Sequence, residues 1–337
     1  MTKILVVAPS WIGDAILSQP LLALLKRQDP DASIDVLAPA WVLPIYRRMP
    51  EVAATLENPF SHGHLALGRR FRLGRELKNQ GYDQAYVLPN SFKSALVPWF
   101  AGIPRRIGFV GELRYGLLTD SRALDKEKFP LMVERFAHLA DAPDAAPRQF
   151  LPSPRLQVAE SERAALISRL QIDATRPSVC LCPGAEYGPA KRWPKEYFAE
   201  LATMLAAEGN AVWIIGSAKE TALGEAIEHA SDGAALNLCG KTSLDDAAVL
   251  LSTAATVVAN DSGLMHLAAA VDRPLIAIYG SSSPSFTPPL SSRARIMKLD
   301  LACSPCFERV CPLKHFDCMM KLVPTRVFEE MKRLSLS

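Results

Sequence analysis

Long hydrophobic runs are missing from this 337-residue sequence, in which nowhere do eighteen apolar residues follow one another. A helix that spans a membrane needs about twenty such residues. The first residues also lack the hydrophobic region of a secretory signal, because Lys3 precedes only a brief apolar run that ends at Pro9. We therefore expect the protein to stay in the cytoplasm.

The glycine-rich loops of common nucleotide-binding enzymes are absent as well. No G-x-G-x-x-G follows any predicted strand, which argues against a nicotinamide-dependent enzyme. The tripeptide GKT at residues 240–242 resembles the end of a P-loop, but Ala235 stands where that motif needs its first glycine. A nucleotide site would have to be built from other elements.

Neither a disulfide framework nor a strong net charge characterises the sequence. Seven cysteines, an odd number, fit reduced thiols better than paired ones. The formal net charge of +3 is too small to indicate general nucleic-acid binding, so we expect no nucleic-acid partner. Four cysteines lie close together near the C-terminus, with His315 in their last gap: Cys303, Cys306, Cys311 and Cys318. Their spacing leaves open both a zinc site and a packed cluster of thiols.

Short β-branched segments alternate with segments of helical length, which is typical of βαβ units around a parallel sheet. The predicted strands are KILVVA, SIDVLA, QAYVLP and RRIGF, followed by SVCLCPG, AVWIIG, AALNLC, ATVVAND and LIAIYG. A proline-rich segment at residues 141–156 marks a domain boundary. We therefore predict an α/β protein with two doubly wound, Rossmann-like domains facing across a cleft, over residues 1–155 and 156–322. A C-terminal helix over residues 323–337 is expected to pack back toward the first domain.

An acid follows the first predicted strand, where the stretch PSWIGDAILSQP begins a helix. Apolar residues from Ile12 to Leu25 recur at helical spacing, so Asp14 is expected at a strand-to-helix turn on the carboxyl edge of the sheet. Open α/β sheets bind their ligands at this edge. Asp14 is therefore either a functional carboxylate or an ordinary first-turn acid that complements the helix dipole.

The strongest local motif is VVANDSGLMHLAAAVDRPLIAIYG, at residues 257–280. A buried strand ends at Asp261, and Ser262 and Gly263 then open an alanine-rich helix that carries His266. The free backbone N–H groups of such a helix start form a ready phosphate site. The alternative is an ordinary helix capped by Asp261, with His266 packed on the next turn.

Two further loops follow predicted strands of the second domain. After SVCLC, Gly184 is followed by Lys191 and Arg192, two cations suited to neutralising a leaving diphosphate. After AVWII, Glu220 is placed to accept hydrogen bonds from ribose hydroxyls. A solvated basic turn and a surface acid in a first helical turn are the corresponding alternatives.

Positive charge is concentrated in the first half, where nine Lys or Arg residues and three acids lie between Phe60 and Tyr115. The nine are Arg69, Arg70, Arg72, Arg75, Lys78, Lys93, Arg105, Arg106 and Arg114. This excess predicts an anionic partner for the first domain.

Six stretches in order along the chain carry a family resemblance: PSWIGDAILSQPLL, NSFKSALVPWFAGIPRRIGF, GELRYGLL, PGAEYGPAKRWP, NDSGLMHLAAAVDRP and CSPCFERVCPL. Together they resemble the bacterial ADP-heptose:lipopolysaccharide heptosyltransferases, family 9 of the glycosyltransferases. The resemblance implies a GT-B fold, ADP-L-glycero-β-D-manno-heptose as donor, and inverting transfer without an obligatory metal or other cofactor. The PSWIGD loop and the cysteine tail favour the branch whose acceptor is the first heptose of the lipopolysaccharide inner core. Transfer to another core position, a nucleotide-sugar epimerase and a non-catalytic two-lobed binding protein are the alternatives.

The resemblance also implies roles for individual residues. Asp14 is matched to the catalytic base, with His62 and His64 as the next candidates, and Lys191 to the cation that stabilises the departing ADP. The candidate donor-binding residues are Gly184, Lys191, Arg192, Glu220, Thr242, Asp261, Ser262, Gly263 and His266. The candidate acceptor-binding residues are Ser10, Trp11, Arg69, Arg105 and Arg106. Because the acceptor is a lipid A that bears Kdo and heptose, we also expect peripheral contact with the cytoplasmic face of the inner membrane.

Overall fold

The computed structural model describes residues 1–60 and 63–335 of the chain. The candidate base His62 lies outside the described residues. The chain divides into two compact units, Met1–Pro154 and Arg155–Ser337. Among the helices that are described, none is long and apolar enough to cross a membrane.

The first unit is built on a six-stranded sheet whose neighbouring strands are all parallel. Its strands are β1 Lys3–Val7, β2 Ser33–Ala38, β3 Ala54–Glu57, β4 Gln84–Val87, β5 Arg105–Phe109 and β6 Asp120–Arg122. Its helices are α1 Ile12–Leu17, α2 Gln19–Gln28, α3 Leu43–Arg47, α4 Leu67–Lys78, α5 Leu96–Phe100 and α6 Met132–His138. The strand order is β3-β2-β1-β4-β5-β6. Strands β2 and β3 follow on one side of β1 and strands β4 to β6 on its other side, so the order reverses between β1 and β4. This reversal is the point where doubly wound sheets open a crevice for a ligand.

The second unit repeats this plan with a second parallel sheet of six strands. Its strands are β7 Ser178–Cys182, β8 Ala211–Ile214, β9 Ala235–Asn237, β10 Thr256–Asn260, β11 Leu275–Ile278 and β12 Ala294–Met297. Its helices are α7 Glu160–Leu170, α8 Lys195–Ala207, α9 Thr221–Ala230, α10 Leu244–Thr253, α11 Gly263–Ala270, α12 Asp317–Met320 and α13 Pro324–Ser335. The strand order β12-β11-β10-β7-β8-β9 reverses between β7 and β10.

The central strands β7 and β10 are buried along their whole length, which explains why their short sequences are mostly apolar. SVCLC in β7 and TVVAN in β10 have every residue buried. Strands covered by helices on both faces need apolar side chains on both faces. The alternation of strand and helix predicted from the sequence is therefore confirmed, and with it the α/β class.

Three strands at the sheet edges, β3, β6 and β12, are missing from the sequence-based prediction. They are three or four residues long and carry exposed positions, as in ATLE of β3. Edge strands have one free side and less buried surface, so they need no continuous apolar run.

The predicted apolar stripe from Ile12 to Leu25 is divided between two helices, α1 and α2. Pro20 has no N–H for a continuous helical ladder.

The C-terminal helix α13 packs within the second unit. Val327, Met331 and Leu334 join the buried cluster that contains Leu201 and Leu205 of α8. Lys332 and Glu208 form an ion pair 2.6 Å long on the outside of this contact. The observed packing of α13 is thus against its own unit, and a return toward the first domain stays a prediction.

Candidate active site

The loops after β7 and β10 meet at the reversal of the second sheet, and they bring Lys191 and Asp261 together. The Lys191 ammonium donates a hydrogen bond to Asp261 Oδ2. Ser282, in the loop after β11, donates to the same oxygen. The Asp261 side chain is 5% exposed and that of Lys191 17%. Two residues seventy positions apart are therefore joined at the ligand edge of this sheet.

Asn260 fixes the loop that presents Lys191. Its Nδ2 donates to the carbonyl of Pro183 over 2.8 Å, and its Oδ1 accepts from the backbone N–H of Trp193 over 3.1 Å. Asn260 is fully buried, so its amide needs these partners. The two ends of the lysine loop are thereby tied to the end of β10. Sequence patterns assign no role to Asn260, since these two hydrogen bonds reach segments far from it in the chain.

Helix α11 begins beside this ion pair, at Gly263, with Ser262 as its N-cap. Three buried polar atoms here have no hydrogen-bond partner among the described residues: Ser262 Oγ, His266 Nδ1 and Ser281 Oγ. Burial lowers the pKa of His266 to about 4, with Lys191 adding to the effect and Asp261 opposing it, so the ring is neutral at pH 7. Unpartnered buried polar groups cost free energy. A ligand with several acceptor oxygens would satisfy them.

Tyr187 and Arg309 complete the surroundings of Lys191. The Tyr187 ring lies 5.1 Å from the Lys191 Nζ and 5.3 Å from the Arg309 guanidinium carbon. The Arg309 carbonyl accepts from the N–H of Ala190 over 3.0 Å, and a Cβ on Gly188 would lie 2.4 Å from that carbonyl. The cysteine-rich segment thus supports the lysine loop directly. The sequence analysis missed both Tyr187 and Arg309, because their link to Lys191 depends on contacts between distant segments.

Glu220 lies against two glycines at the carboxyl ends of β7 and β8. A Cβ on Gly184 would lie 1.6 Å from Glu220 Oε1, and one on Gly216 would lie 2.9 Å from Oε2. Ser217 donates to Oε2 from its backbone N–H over 2.6 Å and from its hydroxyl over 2.9 Å. Glu220 is therefore held at the same sheet edge as Lys191. The same bonds make Glu220 a capping-box acid in a first helical turn, as the alternative interpretation expects, so its contact with a ribose stays a prediction.

Two other predicted donor residues sit at the margin of this region. Arg192 is exposed and donates weakly, over 3.2 Å and 3.4 Å, to the carbonyl of Ala185. Thr242 is half-buried, just before Ser243, the N-cap of α10. The structure connects neither of them to the pair formed by Lys191 and Asp261.

Asp14 lies in the first turn of α1, directly beyond β1, at the reversal of the first sheet. Burial raises the pKa of Asp14 to about 6. Burial, and to a smaller extent the Asp14 charge, raises the pKa of Tyr46, a fully buried phenol whose hydroxyl lies 3.0 Å from Ser18 Oγ. No hydrogen bond or ion pair to the Asp14 carboxylate occurs among the residues described. Asp14 is thus both a first-turn acid of α1 and a carboxylate with a burial-raised pKa, and its role as a base stays a prediction.

Ser10 and Trp11 form the turn between β1 and α1. The Ser10 carbonyl accepts from the Trp41 indole over 3.0 Å, which ties this turn to the segment after β2. The Trp11 side chain is 54% exposed and that of Trp41 52%. Two exposed indoles therefore flank the loop that carries Asp14.

The basic excess of the first half is only partly a surface feature, so only some of its cations can reach the anionic partner that the sequence predicts. The buried Arg70 donates to the carbonyls of Leu65 and Lys93. Arg114, 1% exposed, donates to the carbonyls of Pro89 and Phe109. Both guanidinium groups therefore hold loops together inside the unit.

The predicted acceptor residues Arg105 and Arg106 differ in the same way. Arg106 donates to the backbone carbonyls of Leu117 and Ile103, whereas Arg105 is exposed and lies 3.5 Å from Asp120. Arg69 is exposed and packs 5.7 Å from the Phe60 ring. Arg69 and Arg105 have side chains accessible to an anion, and Arg106 has a structural role.

The four C-terminal cysteines, Cys303, Cys306, Cys311 and Cys318, line one small cavity together with Ser281 and His315. Backbone N–H groups, first that of Phe316, lower the pKa of the Cys311 thiol. Within residues 1–60 and 63–335, no group of three His, Cys, Asp or Glu side chains is arranged to hold a metal ion. Cys180, Cys182 and Cys239 are buried in the core.

The architecture and these motifs match one family. The model of glycosyltransferase family 9 (heptosyltransferase) matches residues 70–317. The chain belongs to this family. It is 48% identical to lipopolysaccharide heptosyltransferase 2 of Escherichia coli K12 and 47% identical to lipooligosaccharide heptosyltransferase 2 of Haemophilus influenzae. The matches cover 99% of both chains for the first and 88% for the second.

A solved structure gives the same result for the fold. The chain superposes on the E. coli ADP-heptose LPS heptosyltransferase II with a TM-score of 0.90 and 46% identity, over 99% of each chain. The predicted GT-B fold and the predicted glycosyltransferase activity are therefore confirmed. The relatives also support the predicted heptosyltransferase II function over transfer to another core position and over an epimerase.

Proposed function

We propose that this glycosyltransferase moves L-glycero-D-manno-heptose from ADP-heptose to the first heptose of the lipopolysaccharide inner core, with inversion at the anomeric carbon. Relatives nearly half identical over almost the whole chain are named lipopolysaccharide heptosyltransferase 2. The observation that carries the proposal within the chain is the group of polar side chains around Lys191. The Lys191 cation lies there together with three buried polar atoms that have no partner among the described residues, near the start of α11.

The ADP diphosphate would occupy the start of α11. Helix N-termini bind phosphate through free N–H groups and the positive end of the dipole. Ser262, Gly263 and His266 would line the phosphates, and Asp261 holds Lys191 in place before the donor arrives. Glu220 would accept from the ribose, and Thr242 would lie toward the nucleoside. Arg192 would add a second cation near the diphosphate. Gly184 leaves the space that the Glu220 carboxylate occupies.

Asp14 would act as the general base. As the acceptor hydroxyl attacks the anomeric carbon, its proton passes to the Asp14 carboxylate, and the bond between that carbon and the β-phosphate oxygen breaks. With a pKa near 6, Asp14 is ionised at pH 7 yet more basic than an exposed carboxylate. The departing ADP gains negative charge on its β-phosphate, which Lys191 would neutralise. This scheme requires no metal ion.

The acceptor would bind to the first unit through exposed groups. Arg69 and Arg105 offer cations to the anionic inner core, and Trp11 offers an exposed ring on which a sugar can stack. Ser10 lies in the same turn as Trp11. Because this acceptor is anchored in a bilayer by lipid A, the enzyme would work in peripheral contact with the inner membrane.

One assay tests the proposed activity against its alternatives. The purified chain is incubated with ADP-heptose and lipopolysaccharide truncated after its first heptose, while ADP release and acceptor mass are followed. We expect ADP to form together with a mass gain of one heptose. Transfer only to an acceptor that lacks heptose would indicate another core position. A changed sugar without ADP release would indicate an epimerase, and neither product would indicate a binding protein.

A further inference from the structure

Helices α4 and α5 pack against each other through a glycine. A Cβ on Gly74 would lie 2.4 Å from the Phe100 Cβ and 3.0 Å from the Val97 carbonyl oxygen. Only a residue without a side chain allows the two backbones to come this close. The short α5 is therefore held firmly against α4, and the neighbouring side chains of the two helices form one surface.

That surface exposes large apolar side chains. Leu67 and Phe71 of α4 are each 50% exposed, and Trp99 of α5 is 44% exposed. The Phe100 ring joins them, with its centroid 5.2 Å from that of Phe71 and 4.9 Å from that of Trp99. Aromatic side chains that are contiguous and exposed mark an interaction site more often than isolated ones do.

Basic residues lie on the same helix as Leu67 and Phe71. Arg72, Arg75 and Lys78 of α4 are exposed, and within the described part of the chain none of the three forms an ion pair or hydrogen bond. Glu76 is the one acid in the sequence of α4. A helix that combines exposed aromatic or leucine side chains with uncompensated cations has the composition of an amphipathic helix lying in a membrane interface.

We propose that the α4–α5 surface, formed by Leu67, Phe71, Trp99 and Phe100 together with Arg72, Arg75 and Lys78 of α4, docks the enzyme on an anionic phospholipid bilayer. Phe and Trp side chains enter the boundary between headgroups and acyl chains, while Arg and Lys meet anionic headgroups. A free phosphate would use the cations and leave the rings exposed. The inference rests on the proposed function, because only a lipid-anchored acceptor requires this docking.

The test measures how the full chain partitions onto sedimented vesicles. Phosphatidylcholine vesicles are compared with vesicles that also contain phosphatidylglycerol. We expect the wild type to favour the anionic vesicles, more strongly at low salt. The double variant Phe71→Ser/Trp99→Ser should bind them at least about tenfold more weakly, since half-exposed aromatic rings lose their apolar transfer energy.

Two controls separate docking from folding and from catalysis. Phe150→Ser removes a ring that is 87% exposed elsewhere in the first unit and should partition like the wild type. Transfer to a soluble, deacylated acceptor should be unchanged in the Phe71→Ser/Trp99→Ser variant. If the double variant fails to fold, Phe71→Ser alone replaces it, with a smaller loss of binding expected.

Specific outcomes would overturn the docking surface. The first is a folded double variant that binds anionic vesicles as strongly as the wild type does. The second is a wild type that binds both kinds of vesicle equally, and the third is a wild type that stays in the supernatant with both. Failure of the proposed function appears separately, as an absence of transfer to the soluble acceptor by the wild type.

Discussion

In the second unit Lys191 is paired with Asp261, whereas Asp14 of the first unit has no partner among the described residues. Both side chains lie just beyond the carboxyl ends of central strands, next to the reversal of strand order in their own sheet. The ion pair holds the Lys191 cation in one position. Asp14 is left as a carboxylate whose pKa is raised by burial alone. In the proposed mechanism, the first group would stabilise the leaving diphosphate and the second would accept the proton.

The largest expected effect comes from removing the unpaired carboxylate. Asp14→Asn keeps the shape of the side chain but cannot accept the acceptor proton, so turnover should fall by roughly 10²–10⁴. Donor affinity should stay close to wild type. Asp31→Asn, which changes an exposed acid in the same unit, is the control and should leave turnover unchanged.

The pH dependence of kcat/KM gives a second test of Asp14 as the base. Because the pKa of Asp14 is about 6, the wild-type kcat/KM for the acceptor should rise up to about pH 6 and then level off. This rising limb should be absent from the residual activity of the Asn variant. A folded Asp14→Asn enzyme with wild-type turnover would remove Asp14 from the mechanism and turn attention to His64 and His62.

Removing the paired cation should have the next largest effect. Lys191→Ala should lower kcat by roughly 10²–10³, since the charge on the diphosphate grows as the glycosidic bond breaks. The Kd of ADP should rise much less. Steady-state kinetics combined with ADP titration measures both quantities. Loss of ADP affinity with an unchanged kcat would mean that Lys191 only anchors the ground state.

Alanine substitutions of the neighbouring Arg105 and Arg106 in β5 should have different effects, because the first side chain is accessible to the acceptor and the second holds the local structure together. Arg105→Ala should raise the acceptor KM several-fold, roughly three- to tenfold and more at low salt, with an unchanged melting temperature. Arg106→Ala should cost about 1–3 kcal/mol of unfolding free energy, because the carbonyls of Ile103 and Leu117 lose their donor. Equal loss of donor affinity in Arg105→Ala would contradict its assignment to the acceptor.

Asp14→Asn should also make the protein more stable at pH 8. The raised pKa means that the folded state holds a proton more tightly than the unfolded state, so stability falls as pH rises from about 4 to 6. Asn removes this penalty, which is roughly 1–2 kcal/mol after allowance for partial exposure. Thermal unfolding should show a gain of about 2–4 °C at pH 8 that disappears near pH 4. The lowered pKa of His266 affects both proteins equally and cancels in this comparison.

The smallest expected effect is that of chelation. If the four C-terminal cysteines hold no essential metal, prolonged incubation with a chelator should leave transfer activity intact. Metal analysis should then find less than one zinc per chain. One zinc per chain, with activity lost when it is removed, would show that the cysteine segment supports the lysine loop through a metal.

Sequence patterns were most informative where burial is continuous. The apolar runs of β1, β7 and β10 predicted the central strands, and the residues that follow them predicted where the candidate site would form. The same reasoning failed at β3, β6 and β12, because a short edge strand with exposed positions resembles a loop. Counting charges along the sequence also placed Arg114 and Arg105 in one basic cluster, although Arg114 is buried and Arg105 is exposed.

The alternation of strands and helices, the position of Asp14 after β1 and the helix start at Gly263 could all be predicted from the sequence. These follow from local periodicity and from the residues that begin helices. The ion pair of Lys191 with Asp261, the contacts of Tyr187 with Lys191 and Arg309, and the lack of a partner for Asp14 among the described residues became visible only in the folded chain. Such contacts join segments far apart in the chain. They depend on strand order, and neither periodicity nor local propensity encodes which loops meet at one edge of a sheet.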